Sequence, residues 1–319
     1  MNRAAFLGLA LVAIGVFALV FNFNQPVSSM FNSQTIEINE KEVFDGANIT
    51  AIDVNVSSPT VHIVPTDSDE ITVELLGEVS ENTDLNFDVT TRNNNLNVSV
   101  RNNNSHSGWF NFGVTITRLE LQLQIPKKEY DELKVRSSSG RIVMDDIQAK
   151  NVELRASSGR IEISNITAEN EINLQTSSGR IEAKNNISNS FKARASSGRI
   201  LINGQISDQI ATSTSSGAIA LENFEGDISA SASSGRVTII NDQLVGDINV
   251  STSSGRVEID FRNAPTSAII DFQGSSGRGE VNVRGIKYEE KSNNRVYGTL
   301  GAEEYEIKVR TSSGRFELN

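Results

Sequence analysis

Along most of this chain apolar and polar residues alternate strictly, and a Ser-Ser-Gly triplet interrupts the alternation at regular intervals. The triplet glycines are Gly140, Gly159, Gly179, Gly198, Gly217, Gly235, Gly255, Gly277 and Gly314, with steps of 19, 20, 19, 19, 18, 20, 22 and 37 residues. With each glycine as zero, position −7 is apolar in every copy: Leu133, Val152, Ile172, Phe191, Ile210, Ile228, Ile248, Ile270 and Ile307. Position +4 is also apolar throughout, from Met144 to Leu318. Positions −5 and +2 are apolar except at Thr212 and Gly279. Polar residues fill the places between. A period of two on both sides of the glycine predicts two short strands per repeat, each with one buried face. A third inward residue is expected soon afterwards, at Ile147, Ile166, Ile187, Ile206, Phe224 and Leu244.

One such repeat is too short to cover its own apolar face, whereas stacked repeats build a continuous core. The pattern therefore predicts an all-β protein, a single-stranded parallel β-solenoid with coils of 19–20 residues. At about 4.8 Å per coil, nine coils extend roughly 40 Å. The triplet reads as a corner: a small residue at −3, two serines able to hydrogen-bond between coils, and a glycine free to take a positive φ. A catalytic reading of the serines needs a base beside each one, and no His, Lys or carboxylate recurs to supply it.

The regular coils occupy 136–319, with a surface insertion at about 284–304 inside the longest step. Residues 45–135 are strand-rich but irregular. Within them "ITAIDVNVSSPTVHIV" fits the template around Pro59 as a divergent first coil. A loop at 102–113 carries Trp109, Phe110 and Phe112, which either cap the core or touch a membrane or a partner protein.

Ala4 to Phe21 is an unbroken run of 18 residues, apolar or glycine, without charge. As a helix it would span about 27 Å, close to a bilayer core. Residues 1–25 are thus expected to be an N-terminal signal anchor, and 26–44 a tether. Arg3 precedes the run and Lys41 is the first positive residue after it, which places the N-terminus in the cytoplasm and the rest outside the cell. The expected protein is single-pass, in the cell membrane, with an extracellular C-terminal domain. Three residues before the apolar run cannot hold a signalling domain, so any signal would pass through a membrane protein partner.

Composition narrows the function. A net charge of −11 over 319 residues argues against nucleic acid as a partner. The lack of cysteine removes disulfides, thiolate metal sites and cysteine nucleophiles. His62 and His106 have no companion ligand at a recognised spacing, and no phosphate-binding loop, dinucleotide fingerprint or nucleophile elbow is present. No catalytic residue, cofactor or metal is expected, and the protein is not read as an enzyme. Position +1 is arginine in eight of nine copies, including Arg141, Arg160, Arg180, Arg199, Arg236 and Arg256. This row is a candidate stripe for an anionic envelope polymer or lipid headgroups. The same arginines could instead pair with Glu162, Glu182, Glu258, Glu280 and Glu317 at +3, as a solvated ladder. Leu201 and Ala220 interrupt the acids in the central coils, where binding would be sought first.

The stretch "LELQLQIPKKEYDELKVRSSSGRIVM", followed by serial SSGxI coils, resembles the bacterial adhesin-like toastrack family, which includes membrane-anchored LiaG-like proteins of envelope-stress operons. The resemblance covers about 45–319. It implies a surface-facing β-solenoid acting as a non-catalytic binding scaffold in adhesion or envelope stress; the chain itself is expected to be a monomer or to self-associate weakly. That family commonly has Asp or Glu after the glycine, where this chain has Arg. The alternatives are a self-assembling structural solenoid and a glycan-active enzyme.

Overall fold

The computed structural model describes residues 35–81, 83–102 and 117–319. The expected anchor at 1–25 and the aromatic loop with Trp109, Phe110 and Phe112 lie outside the described residues, as does His106. Among the described residues no helix is long and apolar enough to cross a membrane.

All regular structure described is β. The irregular N-terminal part contributes β1 (Thr35–Asp45), β2 (Ala51–Val56), β3 (Thr60–Thr66), β4 (Glu70–Ser80), β5 (Leu85–Arg92), β6 (Asn95–Asn102) and β7 (Thr117–Pro126). The regular coils supply β8 (Glu129–Ser137), β9 (Ile142–Asp145), β10 (Gln148–Ala156), β11 (Ile161–Ser164), β12 (Thr167–Thr176), β13 (Ile181–Ala195), β14 (Ile200–Thr214), β15 (Ile219–Ala232), β16 (Val237–Asn241), β17 (Ile248–Thr252) and β18 (Arg256–Phe261). The far end holds β19 (Ala268–Gly274), β20 (Arg278–Val281), β21 (Lys287–Lys291), β22 (Arg295–Leu300), β23 (Glu306–Thr311) and β24 (Arg315–Leu318).

Two ladders meet along the Ser-Ser-Gly corner. One carries the strands that precede each triplet, β6–β2–β8–β10–β12 and onward through β13, β14 and β15 to β17–β23–β19. The other carries the strands that follow it, β7–β3–β9–β11 and through the same long strands to β16–β18–β24–β20. All of these pairings are parallel. Antiparallel pairs occur only at the two ends, with β1, β4 and β5 at one and β21 and β22 at the other.

The apolar columns face the interior as the alternation requires. All nine residues at −7 are buried, from Leu133 to Ile307. Position +4 is buried in every rung except the last in space, where Val281 is half-exposed.

Three expectations need correction. The third inward column fails in two rungs: Ile187 and Ile206 are 48% and 44% exposed, while Asn186 and Gln205 are fully buried in their place. Both isoleucines lie one residue beyond the inward parity, and a slip of one flips a side chain to the other face of a strand. The tether does not extend to residue 44, because Thr35–Asp45 pairs along its whole length with β4. Nor do the coils stack in chain order. The Pro59 coil is the second rung, between β6/β7 and β8/β9. The coil of Gly314 likewise sits between those of Gly255 and Gly277. The segment expected as a surface insertion includes the hairpin β21–β22, which extends the first ladder and covers β19.

The glycines also have a different reason from the one expected. None of the nine triplet glycines has a positive φ. Each is instead pressed against the rung before it. A Cβ on Gly198 would lie 1.6 Å from the carbonyl oxygen of Gly179, and one on Gly217 would lie 1.6 Å from that of Gly198. The left-handed residues mark a second corner at +6, where Asp146, Asn165, Asn185, Gly204 and Asn223 stack. Asn, Asp and Gly tolerate that conformation best.

Candidate functional site

The Ser-Ser-Gly corner runs the length of the solenoid, and its hydrogen bonds explain the sequence. Between rungs the ladder continues straight through the serines by backbone bonds, Ser197 N–H to Ser177 C=O and Ser216 N–H to Ser196 C=O among them. The serine side chains are left exposed in rows. At −3, hydroxyl and methyl side chains alternate along the stack: Ser137, Ala156, Thr176, Ala195, Thr214, Ala232, Thr252. Each hydroxyl accepts from its own glycine N–H, as Thr214 Oγ1 does from Gly217 at 3.0 Å. Thr176 Oγ1 also donates to the carbonyl of Gly159 one rung away, at 3.3 Å. One threonine therefore serves two rungs, and its alanine neighbours leave it room.

The arginines at +1 stand beside this corner, and the structure divides them. Arg160 donates to Glu162 at 3.2 Å, Arg180 to Glu182 at 2.9 Å, and Arg256 to Glu258 at 3.2 Å. Arg141 reaches the same Glu162 from the neighbouring rung. Partial burial raises the pKa of the Glu162 carboxyl, but hydrogen bonds and charge from Arg141 and Arg160 outweigh it and hold the group below its ordinary value. Among the described residues Arg278 and Arg315 make no ion pair although Glu280 and Glu317 stand two residues on, whereas Arg199 and Arg236 have no acid there at all. Leu201 and Thr238 stand at their +3 positions. Ala218 lies on the rung between them, so the two cations are separated by two rung spacings, about 10 Å.

Around the corner on the first ladder, Arg194 is a further exposed cation with no partner among the described residues. The repeat pattern does not single it out, because position −4 belongs to the polar residues that alternate with the apolar columns. Its signal was a change of residue type: after Arg136, Arg155, Gln175 and Arg194, the column becomes Ser213, Ser231 and Ser251. Arg136 is neutralised by Asp53 at 3.1 Å and Arg155 by Glu153. The short serines open a trough of about 460 Å³, lined by Ser231, Ser233, Ser251, Ser253, Gln273 and Arg310. The central rungs thus present hydroxyls on both sides of the corner with Arg194, Arg199 and Arg236 among or beside them. Hydroxyl and guanidinium donors together suit an acceptor-rich anion with many weak contacts.

Among the described residues no group of three His, Asp or Glu side chains could hold an ion. His62 Nε2 lies 3.5 Å from Glu120 Oε1 on a half-exposed strand face.

Two stacked ladders, a glycine corner and closed ends define a parallel β-solenoid whose repeats display one surface many times. The chain belongs to the Toastrack DUF4097 family, whose model matches residues 49–319. Its fold is also similar to that of a solved "putative lipid binding protein" from Parabacteroides distasonis ATCC 8503. That similarity has 16% identity and a TM-score of 0.51, covering 91% of this chain and 98% of the other. A "putative adhesin" from Bacteroides fragilis NCTC 9343 is 10% identical with a TM-score of 0.44, over 90% and 98% of the two chains. A "putative adhesin" from Parabacteroides merdae ATCC 43184 is 15% identical with a TM-score of 0.43, over 72% and 97%. No curated protein gives a significant match.

Proposed function

We propose that this protein is a non-catalytic binding scaffold, held to the cell membrane by residues 1–25 and displayed outside the cell, in adhesion or in the response to envelope stress. Its ligand is a phosphate-bearing envelope component, a wall polymer or a lipid headgroup. The observation that carries this reading is that Arg199 and Arg236, beside an exposed hydroxyl corner, have neither an ion-pair partner among the described residues nor an acid at +3, while Arg141, Arg160, Arg180 and Arg256 in the same column are paired. In an acidic protein, free cations set in one place are a local recognition surface rather than a general polyanion field. The ends of the solenoid support a monomer. Of the four edge strands, β1 and β21 are rich in Glu and Lys and the short β20 carries Arg278 and Glu280, which discourages strand-to-strand addition there, while β5 carries Asp88 and Arg92.

The test is retention of the full chain on poly(glycerol phosphate) and on vesicles containing phosphatidylglycerol, with Arg199→Ser/Arg236→Ser as the variant. Loss of two phosphate contacts should weaken retention at least tenfold and flatten its salt dependence. Preference for polymer or vesicle tells the two sources apart. Unchanged retention of the variant on both, or no retention of the parent protein, refutes the reading.

A further inference from the structure

The second corner holds the one place in the described core where polarity is inverted over adjacent rungs. The inward +7 column reads Ile147, Ile166, Asn186, Gln205, Phe224, and the outward +8 column reads Gln148, Thr167, Ile187, Ile206, Glu225. Ile187 and Ile206 are directly paired in register, so their exposed side chains form a single apolar strip. Exchanging each isoleucine with the residue before it would bury both and release both amides. As the chain stands, the buried amides are only partly satisfied. Asn186 Oδ1 accepts from Ile166 N–H at 3.0 Å and Gln205 Nε2 donates to Ser207 at 2.8 Å. Asn186 Nδ2 and Gln205 Oε1 have no partner among the described residues. Orphaned buried polar atoms cost stability, and an arrangement that accepts two of them to hold two isoleucines in water requires an explanation outside packing.

The isoleucine strip is the floor of a groove of about 680 Å³ running across the central rungs. Its rim is amide-rich, with Asn185, Asn223, Gln243 and Asn263 exposed around the strip. Glu225 and Asp242 are the charged residues that line it, the nearby cation Arg262 is engaged with Asp242, and exposed Lys184 stands outside the lining next to Asn185. A groove lined by acidic side chains and no basic one disfavours a phosphate or carboxylate ligand. An apolar floor with neutral bidentate amides on the rim matches instead a molecule that has C–H faces and many hydroxyls.

We propose that this groove is a second binding site, for a neutral oligosaccharide chain lying along the solenoid axis. The sugar C–H faces rest on Ile187 and Ile206, and the rim amides and Glu225 exchange hydrogen bonds with ring hydroxyls. The site lies at a different corner from the arginines and does not depend on them.

The experiment is retention of the full chain on immobilised chitotetraose, cellotetraose and maltotetraose, compared with Ile187→Asp/Ile206→Asp and with Gln243→Ala. Both isoleucines are exposed, so thermal unfolding of the double variant should match the parent. The expected result is retention of the parent on at least one tetrasaccharide, a loss of tenfold or more in the double variant, and a smaller loss in Gln243→Ala. Arg199→Ser/Arg236→Ser should bind the sugar unchanged, which separates this site from the anionic one. The proposal is overturned if no tetrasaccharide is retained, or if the double variant binds as well as the parent. It is equally overturned if the strip proves to bury itself otherwise. In that case the double variant would abolish self-association in sedimentation, or binding to uncharged phosphatidylcholine vesicles, and leave sugar retention intact.

Discussion

The column of glycines is required by contact here, not by torsion. Each Cα hydrogen takes the place a methyl would need, against the carbonyl of the rung below. Gly198→Ala should therefore lower the unfolding free energy by about 1–3 kcal/mol, the usual cost of overpacking a well-packed site. Urea denaturation followed by circular dichroism checks this, and a loss under 0.5 kcal/mol would contradict the close approach. At this scale the sequence was legible wherever parity alone decided: the −7 and +4 columns follow from alternation. It was less legible where parity competed with hydrophobicity. Ile187 and Ile206 seem to belong with Ile147 and Ile166, yet the left-handed residues Asn185 and Gly204 fix the count, and the count turns them outward. The signal was present as Asp, Asn or Gly at every +6 position from 146 to 223.

Strands at the far end are fastened by one carboxylate. Asp271 on β19 receives the guanidinium of Arg295 from β22 on one side and that of Arg310 from β23 on the other. Burial pushes its pKa up, but the two arginines, by hydrogen bond and by charge, hold it below the ordinary carboxylate value. The unfolded chain thus takes up this proton at a higher pH than the folded one. The contribution is complete above the unfolded value, near 4, and is lost as pH falls through the depressed folded value. Asp271→Asn should cost about 1–3 kcal/mol at pH 7, and below pH 4 it should lose less stability than the parent. Parallel acid titrations of the two proteins, monitored by tryptophan-independent circular dichroism, decide it. Identical acid profiles would show that the carboxylate does not fasten the strands. None of this could be read from the sequence. Asp271, Arg295 and Arg310 are far apart in the chain, and they meet because β22 folds back antiparallel on one side of β19 while β23 enters between β17 and β19 on the other.

For the molecule as a whole, the repeat period gave the solenoid and its corner, while the order of stacking came from the ends. A chain stacked in sequence would leave its first and last coils as bare edges, and here each is enclosed as the second rung from its end. The free arginines were partly legible, through the missing acids at 201 and 220, although it is Thr238 and not Ala220 that leaves Arg236 alone. Removing residues 306–319 should take away the partner of two rungs at once. Such a truncation is expected to unfold residues 256–300 locally, seen as rapid amide exchange there with protection retained in β10–β14. Uniform protection across both segments would contradict it.

The enclosed last coil also sets an order of events. Ile228 meets Ile248 across 20 residues, but Ile248 meets Ile307 across 59, the difference between 307 and 248. Closing the longer loop costs only about 1 kcal/mol more by chain statistics. Its larger effect is on timing, since β19 and β20 reach their final neighbours only after a later segment has threaded between them and the finished stack. A chain emerging stepwise from a ribosome or a translocation pore would hold that gap open until residue 318 is free, which makes the far end the last part of the molecule to become resistant to proteolysis.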